Sequence, residues 1–147
     1  MSWALSVDDR GAFPNGWGPV EEHSGLRFRW LVGPEGAITV RAERPWRRLL
    51  MHCRFADVVR QDVTVTVRPE PRAPAVAAGV LWWKGVGMRH RRVLLNATVP
   101  AGPAVVEFEP VQTWDERPGG RPLSIAIASV RGDARSHTRR SARVPER

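Results

Sequence analysis

Apolar and polar residues alternate with period two along most of this chain, the mark of β-strands that bury one face. The segment LRFRWL sets Leu26, Phe28 and Trp30 on one side and Arg27 and Arg29 on the other. A turn at GPEG (33–36) leads into AITVRAE, with Ile38, Val40 and Ala42 facing inward, and these two segments are expected to pair as a hairpin. RRLLMHCRF aligns Leu49, Met51, Cys53 and Phe55 on one face. DVTVTVR aligns Val63, Val65 and Val67, and its β-branched residues make it the cleanest strand in the chain. Residues 56–61 (ADVVRQ) have room for one helical turn at most.

The proline-rich PEPRAP (69–74) interrupts the pattern, because proline cannot continue a β-ladder. Beyond it come VAAGVLWW, RRVLLNATV, AVVEFE and LSIAIASV, each bounded by Gly or Pro. About eight strands at short spacing, with no long helix, predict an all-β fold: an antiparallel β-sandwich or jelly roll. The domain is expected over residues 16–131, preceded by an N-terminal leader (1–15). Periodicity stops near RGDARSHTRRSARVPER, so a disordered basic tail is expected over 132–147.

With 147 residues and 42% hydrophobic content, the chain is long enough for one cored domain. Its single cysteine, Cys53, excludes an intrachain disulfide. The N-terminal stretch lacks a basic region followed by an apolar run, and no segment approaches the roughly 18 apolar residues of a membrane span. A soluble, cytoplasmic protein is expected. The net charge of +8 first suggests an acidic partner. Twenty-two of the 23 basic residues are arginine, however, and residues 131–147 carry six of them against Asp133 and Glu146. The body of the chain is then only modestly basic, which does not favour nucleic acid as the partner.

The adjacent Trp82 and Trp83 are the sharpest candidate site. Neighbours on a strand point to opposite faces, so one ring is expected outside the main core, where it could stack on a pyranose or a base. The competing reading has the second ring capping the sandwich edge against arginine stems. Arg89, Arg91 and Arg92, in MRHRR (88–92), add basic groups near these rings, although alternation divides them between two faces. His52 and Cys53 are adjacent and cannot share a metal, and His23 and His90 have no zinc-like spacing to other ligands. Neither a nucleophile elbow nor a phosphate-cradling glycine loop occurs. Glu107 and Glu109 share one face of a strand, as on a solvated sheet surface. No catalytic residue, metal site or cofactor is therefore expected.

The opening GWGPVEEHSGLRFRW (16–30) carries Gly16-Trp17, then Glu21 and Glu22, then Arg29-Trp30. Toward the other end stand Thr113-Trp114, Arg121-Pro122-Leu123 and the apolar run 124–130. In this order they resemble small bacterial β-sandwich domains that accompany glycosyltransferases and envelope polysaccharide enzymes, or occur alone. Ser124 replaces the glycine usual there, and the proline after Trp114 is displaced to Pro118. The resemblance implies a jelly-roll architecture like that of carbohydrate-binding modules and carries over no catalytic residue. Trp17, Trp30 and Trp114 are expected to close the ends of the sandwich, with Arg29 or Arg121 bridging to Glu21 or Glu22.

The sequence thus leads to a non-catalytic binding module that associates with a glycan or a glycan-processing enzyme, with Trp82, Trp83, Arg89 and Arg91 as ligand-binding candidates. Two alternatives stand beside it. One is an electrostatic binder of nucleic acid or an anionic surface; the other is a structural subunit that docks a protein partner.

Overall fold

A computed structural model describes residues 3–56, 60–84, 90–115 and 118–134. Among them the strands are β1 (Trp3–Leu5), β2 (Trp17–His23), β3 (Leu26–Leu31), β4 (Gly36–Ala42), β5 (Arg48–Phe55), β6 (Arg60–Arg68), β7 (Ala77–Lys84), β8 (His90–Leu95), β9 (Gly102–Pro110), β10 (Trp114–Asp115), β11 (Pro122–Leu123) and β12 (Ile125–Asp133). One 3-10 turn (Arg10–Ala12) starts at Asp9, whose carboxylate accepts a hydrogen bond from the Gly11 N–H.

All strand pairs are antiparallel, and the strands form two main sheets. One has the order β2-β3-β12-β5-β8, with β1 also on β12; the other has the order β4-β9-β6-β7. The inner rows meet in one apolar layer. Leu49, Met51, Cys53 and Phe55 from β5 and Ile125 and Ile127 from β12 face Ile38, Val63, Val65, Val67, Val106 and Phe108 from the other sheet. The expected β-sandwich is therefore present, and the inward residues read from β5 and β6 are all buried.

Four local expectations are corrected by the fold. LRFRWL and AITVRAE do not form a hairpin: β3 pairs with β2 and β12, whereas β4 pairs with β9 in the opposite sheet. The GPEG turn is instead a crossing between sheets. It is held by Val32 N–H to Gly16 C=O (2.8 Å) and by the Asn15–Ala37 bridge. Gly16 has φ of +88° there, and a Cβ on it would run into the Glu35–Gly36 backbone, so only glycine fits.

Secondly, residues 3–15 are part of the domain. β1 pairs with β12, and Leu5, Val7, Ala12 and Phe13 join the core. At the other end β12 continues to Asp133, which accepts two hydrogen bonds from the Arg48 guanidinium (2.9 and 3.1 Å). Residues 135–147, where the basic tail was placed, lie outside the described residues, as do 57–59 of the helical-turn candidate; Arg60 and Gln61 belong to β6.

Thirdly, Arg29, expected opposite the apolar face of its strand or bridging to Glu21 or Glu22, points into the interior. It is buried, donating from Nε to Val7 C=O (2.7 Å) and from Nη1 to Gly18 C=O (3.1 Å), with its guanidinium 5.3 Å from the Phe13 ring centroid. Fourthly, Phe28 and Trp30 are buried on the outer side of the six-stranded sheet. There they form a second apolar cluster with Ala56, Leu123 and Ala126, with Trp114 packed against it. The β10–β11 ribbon covers strands that would otherwise show aromatic rings to water.

Trp46 is 2% exposed and lies flat on Gly132, where an added Cβ would penetrate the indole ring. Core overpacking of this kind costs typically about 2 kcal/mol when neither partner can move aside. Gly132→Ala is expected to destabilise the protein by about that amount, read as a fall in the urea midpoint with unchanged slope.

Candidate functional site

Of the candidate residues, Trp82 and Trp83 sit on β7 and Arg91 on β8, each an edge strand of its sheet. Along β7 the alternation is strict: Leu81 is buried and Trp83 packs against the core, while Ala78, Val80, Trp82 and Lys84 face outward. Trp82 is 57% exposed and Val80 54%. The strand register sets Asp62 opposite Trp82 and Thr64 opposite Val80. On the far side of β6, Thr64 stands opposite Glu109, and the Val111 N–H donates to the Asp62 C=O (2.8 Å). Arg60 places its guanidinium carbon 5.1 Å from the Trp82 ring centroid while pairing with the Asp62 carboxylate (3.0 Å). The outer face of the four-stranded sheet thus holds an indole on a regular strand, ringed by a guanidinium, carboxylates, a hydroxyl and the exposed Val80 and Val111. Stacking on an apolar ligand face, combined with hydrogen bonds at its rim, is the chemistry such a group supplies.

Trp83 is placed differently. It stacks on Phe55 (centroids 6.4 Å, planes 14° apart), and the Arg91 guanidinium lies 4.3 Å from its ring centroid. Arg91 is on the inner row of β8, opposite Cys53. Its Nε is enclosed with no hydrogen-bond partner among the described residues, and the indole face offsets the charge. Gln61, opposite Trp83 and fully buried, exchanges hydrogen bonds with the Gln112 backbone (2.7 and 3.3 Å). Trp83 and Arg91 therefore seal the sandwich edge against each other, and they are not brought together with Trp82. Arg89 lies outside the described residues.

On the outer face of the six-stranded sheet, His52 and Arg54 from β5 stand opposite Arg92 and His90 from β8. The His52 and His90 rings are 5.5 Å apart, and Phe28 lies 5.6 Å from His90. Burial, then the charge of Arg54 and the nearby His52 and His23, push His90 down to about 4. Burial and then Arg92 lower His52 as well. Burial alone pushes the Cys53 thiol up, which makes it an inert core group. The expected polar seam forms between Arg121 and Glu21 (2.7 Å), not through Arg29.

Arg60, Asp62 and Val111 were not singled out in the sequence. The alternation of DVTVTVR already put Asp62 on the polar face of its strand. That β7 and Val111 flank it follows only from pairing between distant segments, which has no local signal. Among the described residues, no group of three His, Cys, Asp or Glu side chains is placed to hold a metal ion. No helix among them is long and apolar enough to cross a membrane.

Two stability effects follow. Trp83→Ala is expected to cost about 3 kcal/mol, as for other large aromatic truncations in a packed site, whereas Trp82→Ala should cost less than about 1 kcal/mol; chemical denaturation separates them. His90 protonates near 6.5 in the unfolded chain and near 4 in the fold. The unfolded state therefore binds more protons between those values, so stability is level above about pH 6.5 and falls as pH drops toward 4. His90→Phe should remove much of that acid-side fall in melting temperature.

No protein-family model matches the sequence, and no curated protein matches it either. Solved structures do match the fold. The family 35 carbohydrate-binding module of Cellvibrio japonicus Abf62 aligns with a TM-score of 0.63 at 13% identity, covering 92% of this chain and 95% of that one. The module CsCBM6-3 from Clostridium stercorarium, solved in complex with cellobiose, aligns with a TM-score of 0.57 at 11% identity, covering 90% and 94%. The exo-β-1,3-galactanase of Phanerochaete chrysosporium, solved with galactose, aligns with a TM-score of 0.56 at 12% identity; 90% of this chain spans only 29% of that longer one. The chain has the β-sandwich fold of carbohydrate-binding modules.

Proposed function

We propose that this protein is a non-catalytic glycan-binding module that receives a sugar on Trp82. The observation that carries the reading is a large indole left 57% exposed on a regular strand, beside Asp62, Arg60 and Thr64. Leaving such a ring in water forfeits the roughly 2 kcal/mol or more that burial would supply, so its retention on an ordered surface suits a stacking role. The backbone of β6 and β7 fixes the ring's position in advance, which lowers the ordering cost of binding. The fold shared with modules such as the cellobiose-bound one supports the same reading. A stretch of a glycosidase chain also has this fold, which supports a glycan-processing enzyme as the physiological partner.

Trp82→Ala is expected to weaken glycan binding by about tenfold or more, with an almost unchanged melting temperature. Isothermal titration against cello-, xylo- and galacto-oligosaccharides checks it, with Arg60→Ala as a rim variant of smaller effect. Binding undiminished in Trp82→Ala, or no binding of any glycan by the unaltered protein, would overturn the reading.

A further inference from the structure

Each main sheet ends in two edge strands, and three of these four edges are guarded against pairing with another chain. β4 is covered by the segment before β2: the Ala37 N–H donates to the Asn15 C=O and the Thr39 hydroxyl to the Gly11 C=O. β2 carries Glu21, Glu22 and His23 and slips register against β3 between Trp17 and Val20. β8 carries His90, Arg91 and Arg92. Coverage, irregularity and charge are the devices by which native edges avoid association. β7 has none of them among the described residues. It pairs with β6 without a register shift from Ala77 to Lys84, and no charge or proline occurs from Val76 to Trp83. Val76, Val80 and Trp82 lie exposed at its start and along it, and Leu94 is exposed on the adjoining β8.

The backbone bonds of β6 fix which groups β7 leaves free. The Asp62 C=O faces β9, where it accepts from the Val111 N–H, and the Val67 C=O faces β7, where it accepts from the Val76 N–H (2.8 Å each). Bonding direction alternates along a strand, so the odd-numbered residues of β6 bond to β7. Their register partners Ala77, Gly79, Leu81 and Trp83 are thereby satisfied, and Ala78, Val80 and Trp82 turn N–H and C=O to the open edge. Side-chain sizes along this strand are complementary about Val80. Gly79 and Leu81, Ala78 and Trp82, and Ala77 and Trp83 stand at equal distances on either side of it, the small residue before and the large one after.

We propose that β7 is a self-pairing edge, through which two copies of this chain join antiparallel about a twofold axis at Val80. Val80 then exchanges backbone bonds with Val80 of the second copy, and Ala78 and Trp82 with its Trp82 and Ala78, about six hydrogen bonds in all. Every large side chain of one strand lies across from a small one of the other, so neither row is overpacked. Lys84 falls opposite Val76 of the second copy, which keeps the two lysines about 27 Å apart and sets no like charges face to face. In the layer beneath, the Leu95 side chain abuts Gly79 close to the axis, whereas Arg91 lies against Trp83 away from it. The twofold therefore brings the leucine ends of the two β8 strands together and holds their arginines apart. Pairing of this kind lies in the plane of the sheet, leaves its outer face open and stands independently of glycan binding by Trp82.

The test is sedimentation velocity on the full chain from about 1 to 200 μM, with amide hydrogen exchange alongside. One strand pair with its flanking side chains is at the small end of interfaces that persist in solution, so a reversible monomer–dimer equilibrium with Kd on the order of 10 μM is expected. The amides of Ala78, Val80 and Trp82 should exchange more slowly as the dimer fills. Val80→Lys sets two ammonium groups across the axis at an exposed position and should weaken association about tenfold or more. Val80→Glu should do the same, and an equimolar mixture of the two variants should restore association. A protein monomeric at every concentration would overturn the proposal; were its β7 amides protected even so, another segment of the chain would be what covers the edge. A dimer undiminished in Val80→Lys, or a mixture no better than either variant alone, would overturn it as well.

Discussion

β12 is the strand on which the six-stranded sheet depends. Among the described strands, β12 alone pairs with both the β2–β3 hairpin and the β5–β8 pair, and β1 also pairs with it. Its inward residues Ile125, Ile127 and Val130 enter the core between the sheets. Its outward Ala126 lies under Trp30, Leu123 and the β10–β11 ribbon. A strand buried on both faces must be apolar throughout, and small where a second layer presses on it, which accounts for the run IAIA. Loss of β12 would leave the β2–β3 hairpin and the β5–β8 pair with no strand between them and uncover both apolar layers.

That arrangement leaves a clear division of labour between the faces. The outer side of the six-stranded sheet is partly roofed by the ribbon, and the rest of it carries the mixed imidazole and guanidinium patch. Among the described residues nothing roofs the outer side of the four-stranded sheet, and Trp82, Val80 and Val111 are exposed there. Between the sheets, Trp83 and Arg91 close the edge where β7 and β8 approach. Two tryptophans adjacent in sequence therefore do opposite work, and the alternation of a β-strand is the whole reason.

The inward rows of β5 and β6 were legible in the sequence because period two is a local property, as were the opposite placements of His52 and Cys53. What alternation cannot say is which side of a sheet a given row faces. Phe28 and Trp30 read as inner residues, yet they are buried on the outer side because Trp114 and Leu123, far along the chain, cover them. The same limit explains Arg29, whose polar register lands in the interior beside the Val7 and Gly18 carbonyls. The GPEG turn looked like a hairpin because turn chemistry is local, whereas the partner of β4 is β9, some sixty residues on. At the candidate site, Trp82 was visible as half of a doublet; Arg60, Asp62 and Val111 join it only through the register of β9, β6 and β7.

On the proposed reading, the outer face of the four-stranded sheet is a ligand surface organised by Trp82. Its most direct measurement is a nitrogen–proton NMR titration of the full chain with a mixture of cello-, xylo- and galacto-oligosaccharides, following the indole and backbone signals together. If Trp82 receives the sugar, its indole and the amides of Asp62, Thr64, Val80 and Val111 move together and saturably, while the Trp46 and Trp83 indoles stay still. Shifts confined to other surfaces, or spectra unchanged by every oligosaccharide, would contradict it.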